Sequence, residues 1–181
     1  MPERMNVQQI RIEPWNNANL TLLRLMNVPE MLEYLGGPET EEQLLARHER
    51  YLKISELGTG RMFSIVLLPQ LEIIGSVGYW DSYWKEENVY EIGWSVLPPF
   101  QGRGIATKAV EKAIAHAKME QKYRFIHAFP AINNPASNAI CQKLDFLFIS
   151  ECDFEYPPES VMRCNNWRLE ITTKPSNNSS I

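Results

Sequence analysis

The chain of 181 residues is the size of one ordinary domain, and 44% hydrophobic with 22% charged residues is a globular profile able to bury a core. A formal net charge of −4, with Lys and Arg scattered rather than clustered, offers no surface for a phosphate backbone, so nucleic-acid binding is not expected. Three widely spaced cysteines (Cys141, Cys152, Cys164) suggest neither a disulfide framework nor a zinc site. No apolar stretch reaches membrane-span length and Met1-Pro2-Glu3-Arg4 lacks a signal-peptide core, so a reduced, cytoplasmic protein without a metal is expected.

Residues 9–14 alternate as a first strand, and residues 16–25 read as a short helix with Leu20, Leu23 and Met26 inward. Residues 29–35 give another helical turn or two, stopped by Gly36-Gly37-Pro38. Thr40 is an expected N-cap with Gln43 as its capping-box partner, opening an amphipathic helix that buries Leu44, Leu45, His48, Tyr51, Leu52 and Ile54 and ends near Gly58. Residues 61–68 and 73–80 form a hairpin, the second strand continuing through Tyr83 and Trp84. Lys85-Glu86-Glu87-Asn88 turns it into residues 89–96, where Tyr90, Ile92, Trp94 and Val96 alternate with Val89, Glu91, Gly93 and Ser95. Pro98-Pro99 ends that strand, because proline has no N–H for a ladder. After a tight loop comes a long helix burying Ala106, Ala109, Val110, Ala113, Ile114 and Ala117. Residues 125–129 are then a strand reached by helical crossover, hence parallel to residues 89–96. Asn134 caps a further helix with Pro135 at its first position and Ile140, Cys141 and Leu144 inside. Residues 146–154 and 162–171 close the sheet. From Thr173 the chain is too polar to pack, so residues 1–172 are one domain and 173–181 a frayed tail.

Strand, glycine loop and helix aim unpaired amides and the positive end of a helix dipole at one point, which suits a phosphate. The loop is not a P-loop, since Gly102 has no G-K-[ST] at the required distance. It only half meets the dinucleotide fingerprint, because Thr107 stands where the third small residue belongs. Read alone, it also suits a ligand-free strand–helix turn. What fits is Q-x-x-G-x-A, as Gln101, Gly104 and Ala106, preceded by Glu91-Ile92-Gly93 and followed by Thr107.

This string resembles the pyrophosphate loop of the GNAT superfamily of acetyl-CoA-dependent N-acetyltransferases, and EIGWSVLPPFQGRGIATKAV is most like the branch of ribosomal-protein N-terminal acetyltransferases. The resemblance spans nearly the whole chain, from residue 9 to 171. It implies a mixed α/β fold: a twisted, mostly antiparallel sheet of about seven strands with helices on both faces. Two parallel strands would part to admit the pantetheine arm of acetyl-CoA. It further implies that Gln101, Gly102, Arg103, Gly104, Ile105, Ala106 and Thr107 hold the pyrophosphate, with charge added by Arg103 or Lys108. The backbone of Trp94, Ser95 and Val96 would meet the thioester and pantetheine. The segment from Asn134 to Phe146 is similar to the family's N-x-x-S…K-L-G-F, which carries over Asn134 as a pantetheine partner and Asn138 and Lys143 as cofactor neighbours; without the family, Asn134 is a helix cap.

Two positions depart from the family pattern. Asp145 replaces a glycine, and Asp tolerates the left-handed conformation. Cys141 stands where many members carry a general-acid tyrosine, and it reads as a small buried residue. Glu91 is the candidate general base, on the strand face shared with Gly93 and Ser95; the alternative is a structural role. Ser137 is a second candidate, holding the thioester or protonating sulfur. His48, His116 and His127 are expected to be solvated or core residues. Trp80, Tyr83, Trp84, Trp94 and Phe129 can wall an acceptor pocket, and Asp81, Glu86, Glu87 and Glu91 suit a cationic acceptor. The expected reaction is acetyl transfer to a primary amine, first a protein N-terminus. Rival readings are a small-molecule amine (polyamine, amino sugar or antibiotic) and a non-catalytic acyl-CoA sensor. A monomer or a homodimer suits either enzyme.

Overall fold

A computed structural model describes residues 8–155 and 160–172; the tail expected from Thr173 lies outside them. Strand β1 (Ile10–Pro14) enters a 3-10 turn, where Asn16 and Asn19 cap each other reciprocally, and then α1 (Leu20–Met26) and α2 (Pro29–Leu32). Gly36 and Gly37, both at φ +86°, end this segment in the left-handed region open to glycine. Helix α3 (Glu41–Lys53) begins at the expected capping box: the Gln43 N–H donates to Thr40 Oγ1 at 3.2 Å and the Thr40 N–H to Gln43 Oε1 at 3.0 Å. Its core stripe is Leu44 and His48. Leu45, expected inside, is 41% exposed, because adjacent positions on a helix lie about 100° apart and only one can face the sheet.

Three strands follow as an antiparallel meander, β2 (Gly60–Leu67), β3 (Glu72–Trp84) and β4 (Glu87–Val96). The β3–β4 turn is tighter than expected. Lys85 and Glu86 both take positive φ, 43° and 64°, which starts β4 at Glu87. Helix α4 (Ile105–Glu120) crosses over to β5 (Phe125–Ala128), and α5 (Pro135–Lys143), β6 (Leu147–Glu155) and β7 (Val161–Glu170) complete the chain. The seven strands lie in the order β1-β2-β3-β4-β5-β7-β6. Every neighbour is antiparallel except β4 and β5, whose ladder registers only Tyr90 with Ile126 and Glu91 with His127. Beyond Glu91 the two strands part.

Alternation along the strands fixes the two faces. Phe63, Ile65, Tyr79, Tyr90 and Ile92 pack on Ala109, Val110, Ala113 and Ile114 of α4. On the opposite face Met62 meets Trp15, Leu22, Leu23 and Leu44, brought by α1 and α3. Each fully buried large side chain stabilises by about 1.5–3 kcal/mol. The end of α4 is tied down as well. Glu120 accepts from the Tyr90 hydroxyl at 2.6 Å and from Arg61 Nε at 2.5 Å, which fixes the crossover that positions everything after β4. Asp145 takes φ +64°, as expected for the residue replacing glycine. Among the described residues no helix is long and apolar enough to cross a membrane.

Candidate active site

Glu91 stands on β4 where β4 and β5 separate. Across the β3–β4 ladder its partner is Trp80, and the Trp80 indole lies over Gly93: a Cβ at Gly93 would fall 2.9 Å from the Trp80 ring. Glycine at position 93 is therefore what lets the indole rest on the strand. Ser82 Oγ, also from β3, donates to Glu91 Oε2 at 3.4 Å. Burial pushes the Glu91 carboxyl up to about 7, against a smaller lowering by hydrogen bonds from Ser82 and Trp80. A carboxylate tuned to that range is a competent base near neutral pH.

The opening beside Glu91 leaves one edge of β4 without a strand partner. The Leu97 N–H donates to Ile74 O at 2.8 Å. Alternation then turns the N–H and C=O of Val96, and of Trp94 before it, away from β3 and toward the side where β5 has departed. Gln101 Nε2 donates to Val96 O at 2.8 Å. The Gln101 side chain thus folds the loop back on the strand, a role that needs no cofactor.

Residues 102–104 are exposed, and Gly102 and Gly104 take φ +74° and +73°. An added Cβ at either glycine meets nothing within 4 Å, so the cradle is open space. Gly104 starts α4 with no side-chain cap, and the amides of Ile105, Ala106 and Thr107 have no partner among the described residues. Unpaired amides, positive φ and a helix N-terminus fit a pyrophosphate. The Ile105 side chain is buried in the core, so only its amide is offered. The expected cations sit to one side: Arg103 leans over the Phe100 ring at 5.6 Å, and Lys108 Nζ donates to Gln8 O at 2.6 Å.

On the far wall, Asn134 Oδ1 accepts from the Ser137 N–H at 3.2 Å, which makes Asn134 the N-cap of α5 and sets Ser137 in its first turn. Asn138 is different from expectation. Its Nδ2 donates to Ala131 O and Asn134 O at 2.9 and 2.8 Å, and its Oδ1 accepts from Asn165 Nδ2 and Trp167 Nε1, both at 2.9 Å. Two donors and two lone pairs are all used. Asn138 therefore anchors α5 to β7 and has no capacity left for a cofactor. Lys143 is exposed at the end of α5. Cys141 is fully buried and burial pushes its thiol up to about 12, so it is a neutral packing group.

A cleft of about 830 Å³ brings Glu91, Trp94, Ser95, Asn134 and Ser137 together; the loop of residues 101–107 and Lys143 do not line it. Of the aromatics expected around an acceptor, Trp80, Trp94 and Phe129 line the cleft. Tyr83 is 65% exposed, and Trp84 packs instead on His127 and Phe129. Glu86 and Glu87 are exposed at the β3–β4 turn and do not line the cleft. His127 is a core residue: its Nδ1 donates to Asn166 Oδ1 at 2.7 Å, and burial lowers its pKa, which keeps the ring neutral. His48 is likewise internal and accepts from Trp15 Nε1 at 3.0 Å. His116 is exposed on α4. Sequence reasoning missed Ser82 and the side chains that α2 and α3 contribute. Ser82 is detectable only through the β3–β4 register, and the side chains of the two helices have the spacing of ordinary apolar positions.

Residues 9–147 match the family described as Acetyltransferase (GNAT) domain. No curated protein sequence matches the chain. Among solved structures, the ribosomal-protein S5 alanine acetyltransferase of Vibrio fischeri is 18% identical, with 94% of this chain and 97% of that one covered and a TM-score of 0.73. The Vibrio cholerae spermidine N-acetyltransferase, solved with CoA and spermine, is also 18% identical, over 90% and 95%, with a TM-score of 0.73. The Salmonella typhimurium acetyltransferase that modifies the N-terminal serine of a 50S ribosomal subunit protein is 16% identical, over 90% and 95%, again at 0.73. At these identities the likeness establishes the fold and nothing finer.

Proposed function

The chain belongs to the GNAT acetyltransferase family, and on that premise we propose that it moves an acetyl group from acetyl-CoA to the amine at a protein N-terminus. The observation that carries the reading is the Glu91 carboxylate, half-buried at the parting of β4 and β5 and facing the same cleft as Ser137. The open amides of residues 102–107 suit the pyrophosphate, and the amides of Trp94 and Val96 point into the gap where a thioester carbonyl would lie. Acetyl-CoA supplies the activated acyl group. Solved relatives of the same fold include a complex with CoA, which supports that co-substrate.

Glu91 takes the proton of the attacking amine, directly or through a water. Main-chain N–H groups of Trp94 and Val96 hold the developing oxyanion. As the new C–N bond forms, the C–S bond breaks; Ser137 on the opposite wall donates a hydrogen bond to the departing thiolate, which takes its proton from water while Glu91 releases the amine's proton to water. Asn134, beyond capping α5, offers its amide to the pantetheine. Binding both partners in one cleft supplies much of the remaining acceleration.

A second reading, acetylation of a small amine, is favoured by the equal likeness to the spermidine enzyme. Thiol release from acetyl-CoA, followed with peptide and small-amine panels, tests both. Turnover of peptides bearing a free N-terminus is the expected result. Exclusive turnover of small amines would overturn the N-terminal reading.

A further inference from the structure

Beyond Glu91 the cleft runs on under α2, the turn after it and the C-terminal end of α3. That end presents Met31, Tyr34, Leu35, Tyr51, Ile54 and Leu57. Met31, Tyr51 and Ile54 pack with one side on the core cluster around Trp15 and Met62 and turn the other to the cleft. Leu57 is 70% exposed and the other five are only half-buried, so the wall is apolar surface facing a cavity. The floor continues the theme, with the Trp80 indole spread over Gly93.

The carboxylates of the cleft are already assigned, with one exception. Asp81 takes Lys122 Nζ on both oxygens at 2.8 Å. Glu49 lies 3.4 Å from Lys53, and Glu155 is also engaged. Among the described residues, Glu91 is the lining carboxylate whose contacts are neutral donors alone, the Ser82 hydroxyl at 3.4 Å and the Trp80 indole. The cations Arg50 and Lys53 stand beside the apolar wall. A second ammonium carried past Glu91 would lose water, meet those cations and find its potential anions occupied. An uncharged, apolar group would instead leave water for a hydrocarbon surface.

We propose, resting on the acetyl-transfer reading above, that the acceptor is a monoamine with an apolar group within one residue of its reacting nitrogen, selected by the α2–α3 wall. Polyamines are excluded by the same wall. Hydrophobic pockets discriminate roughly 10–200-fold per methylene in kcat/KM, so an entire apolar side chain should be read easily.

The test uses the full chain with acetyl-CoA and three acceptors: the peptides Ala-Phe-Gly-Gly and Ala-Ser-Gly-Gly, and spermidine. A kcat/KM about tenfold or more higher for the Phe peptide than for either other acceptor is expected. The variant Leu57→Asp, at an exposed position that tolerates a charge, should shrink the Phe-over-Ser ratio about fivefold or more, with acetyl-CoA affinity by calorimetry unchanged. Equal use of the two peptides, better use of spermidine, or a ratio unmoved by Leu57→Asp would overturn the acceptor assignment while leaving acetyl transfer intact. Tight acetyl-CoA binding with no acceptor turned over would overturn both.

Discussion

On the proposed reading, Glu91 couples stability and activity through one proton. Its folded pKa, pushed up to about 7 by burial, lies above the ordinary 4.5. The folded chain therefore holds more protons than the unfolded chain between those values, and Glu91 makes stability fall as pH rises through that window. Glu91→Gln removes this: thermal melts should show the variant gaining on the parent above pH 7 and no relative gain below pH 4.5. The same substitution should cut kcat/KM by about 10²–10⁴-fold and abolish the limb near pH 7, read from pH–rate profiles. A second prediction concerns the loop. Gly104→Ala puts a Cβ on a residue at φ +73° with room around it, so the cost is backbone strain of about 1–2 kcal/mol rather than a clash. Calorimetry should find weaker acetyl-CoA binding, because the strained loop re-aims its amides. Both residues stand out in the sequence through near neighbours along the chain, Glu91 by the alternation of residues 89–96 and Gly104 by the Q-x-x-G-x-A spacing. The role of Asn138 does not, because its four hydrogen bonds come partly from β7, far away in sequence.

Pairing between β3 and β4 decides what surrounds Glu91. Gly93→Val should drive a side chain into the Trp80 ring and lift the indole off the strand. Tryptophan emission should shift to the red as the ring meets water. The activity limb should also move to lower pH, since a wetter Glu91 loses part of its desolvation. Element positions came through well from periodicity and from end signals such as Thr40 and Pro98, which act within a single turn or strand. Register did not. That Trp80 lies opposite Glu91 follows from the two-residue turn at Lys85 and Glu86, and a longer turn would place another side chain there. Helix facing was similarly one position off at Leu45. The apolar side chains of α2 and α3 had the spacing of a core stripe, and only the position of the cleft shows that part of it is a wall.

Across the whole molecule, α4 and two ladder pairs join the antiparallel group β1–β4 to the group β5, β7 and β6. A ligand lodged at that junction is bound by the folded chain alone. Acetyl-CoA at 100 times its Kd should therefore raise unfolding free energy by about 2.7 kcal/mol, seen as a concentration-dependent rise in Tm. An unchanged Tm would contradict binding at the junction. The open topology was foreseeable, since a helical crossover forces β5 to run alongside β4 in the same direction. How early the two would diverge was not, because it depends on the short length of β5 and on β7 claiming its other side. The divergence also leaves a vulnerability. Strand β4 displays, midway through the sheet rather than at its margin, the main-chain groups of Trp94 and the Val96 N–H, to which an extended polypeptide can pair. Saturation with coenzyme would then act as a chaperone, hiding a sticky backbone that a starved enzyme leaves open to its neighbours.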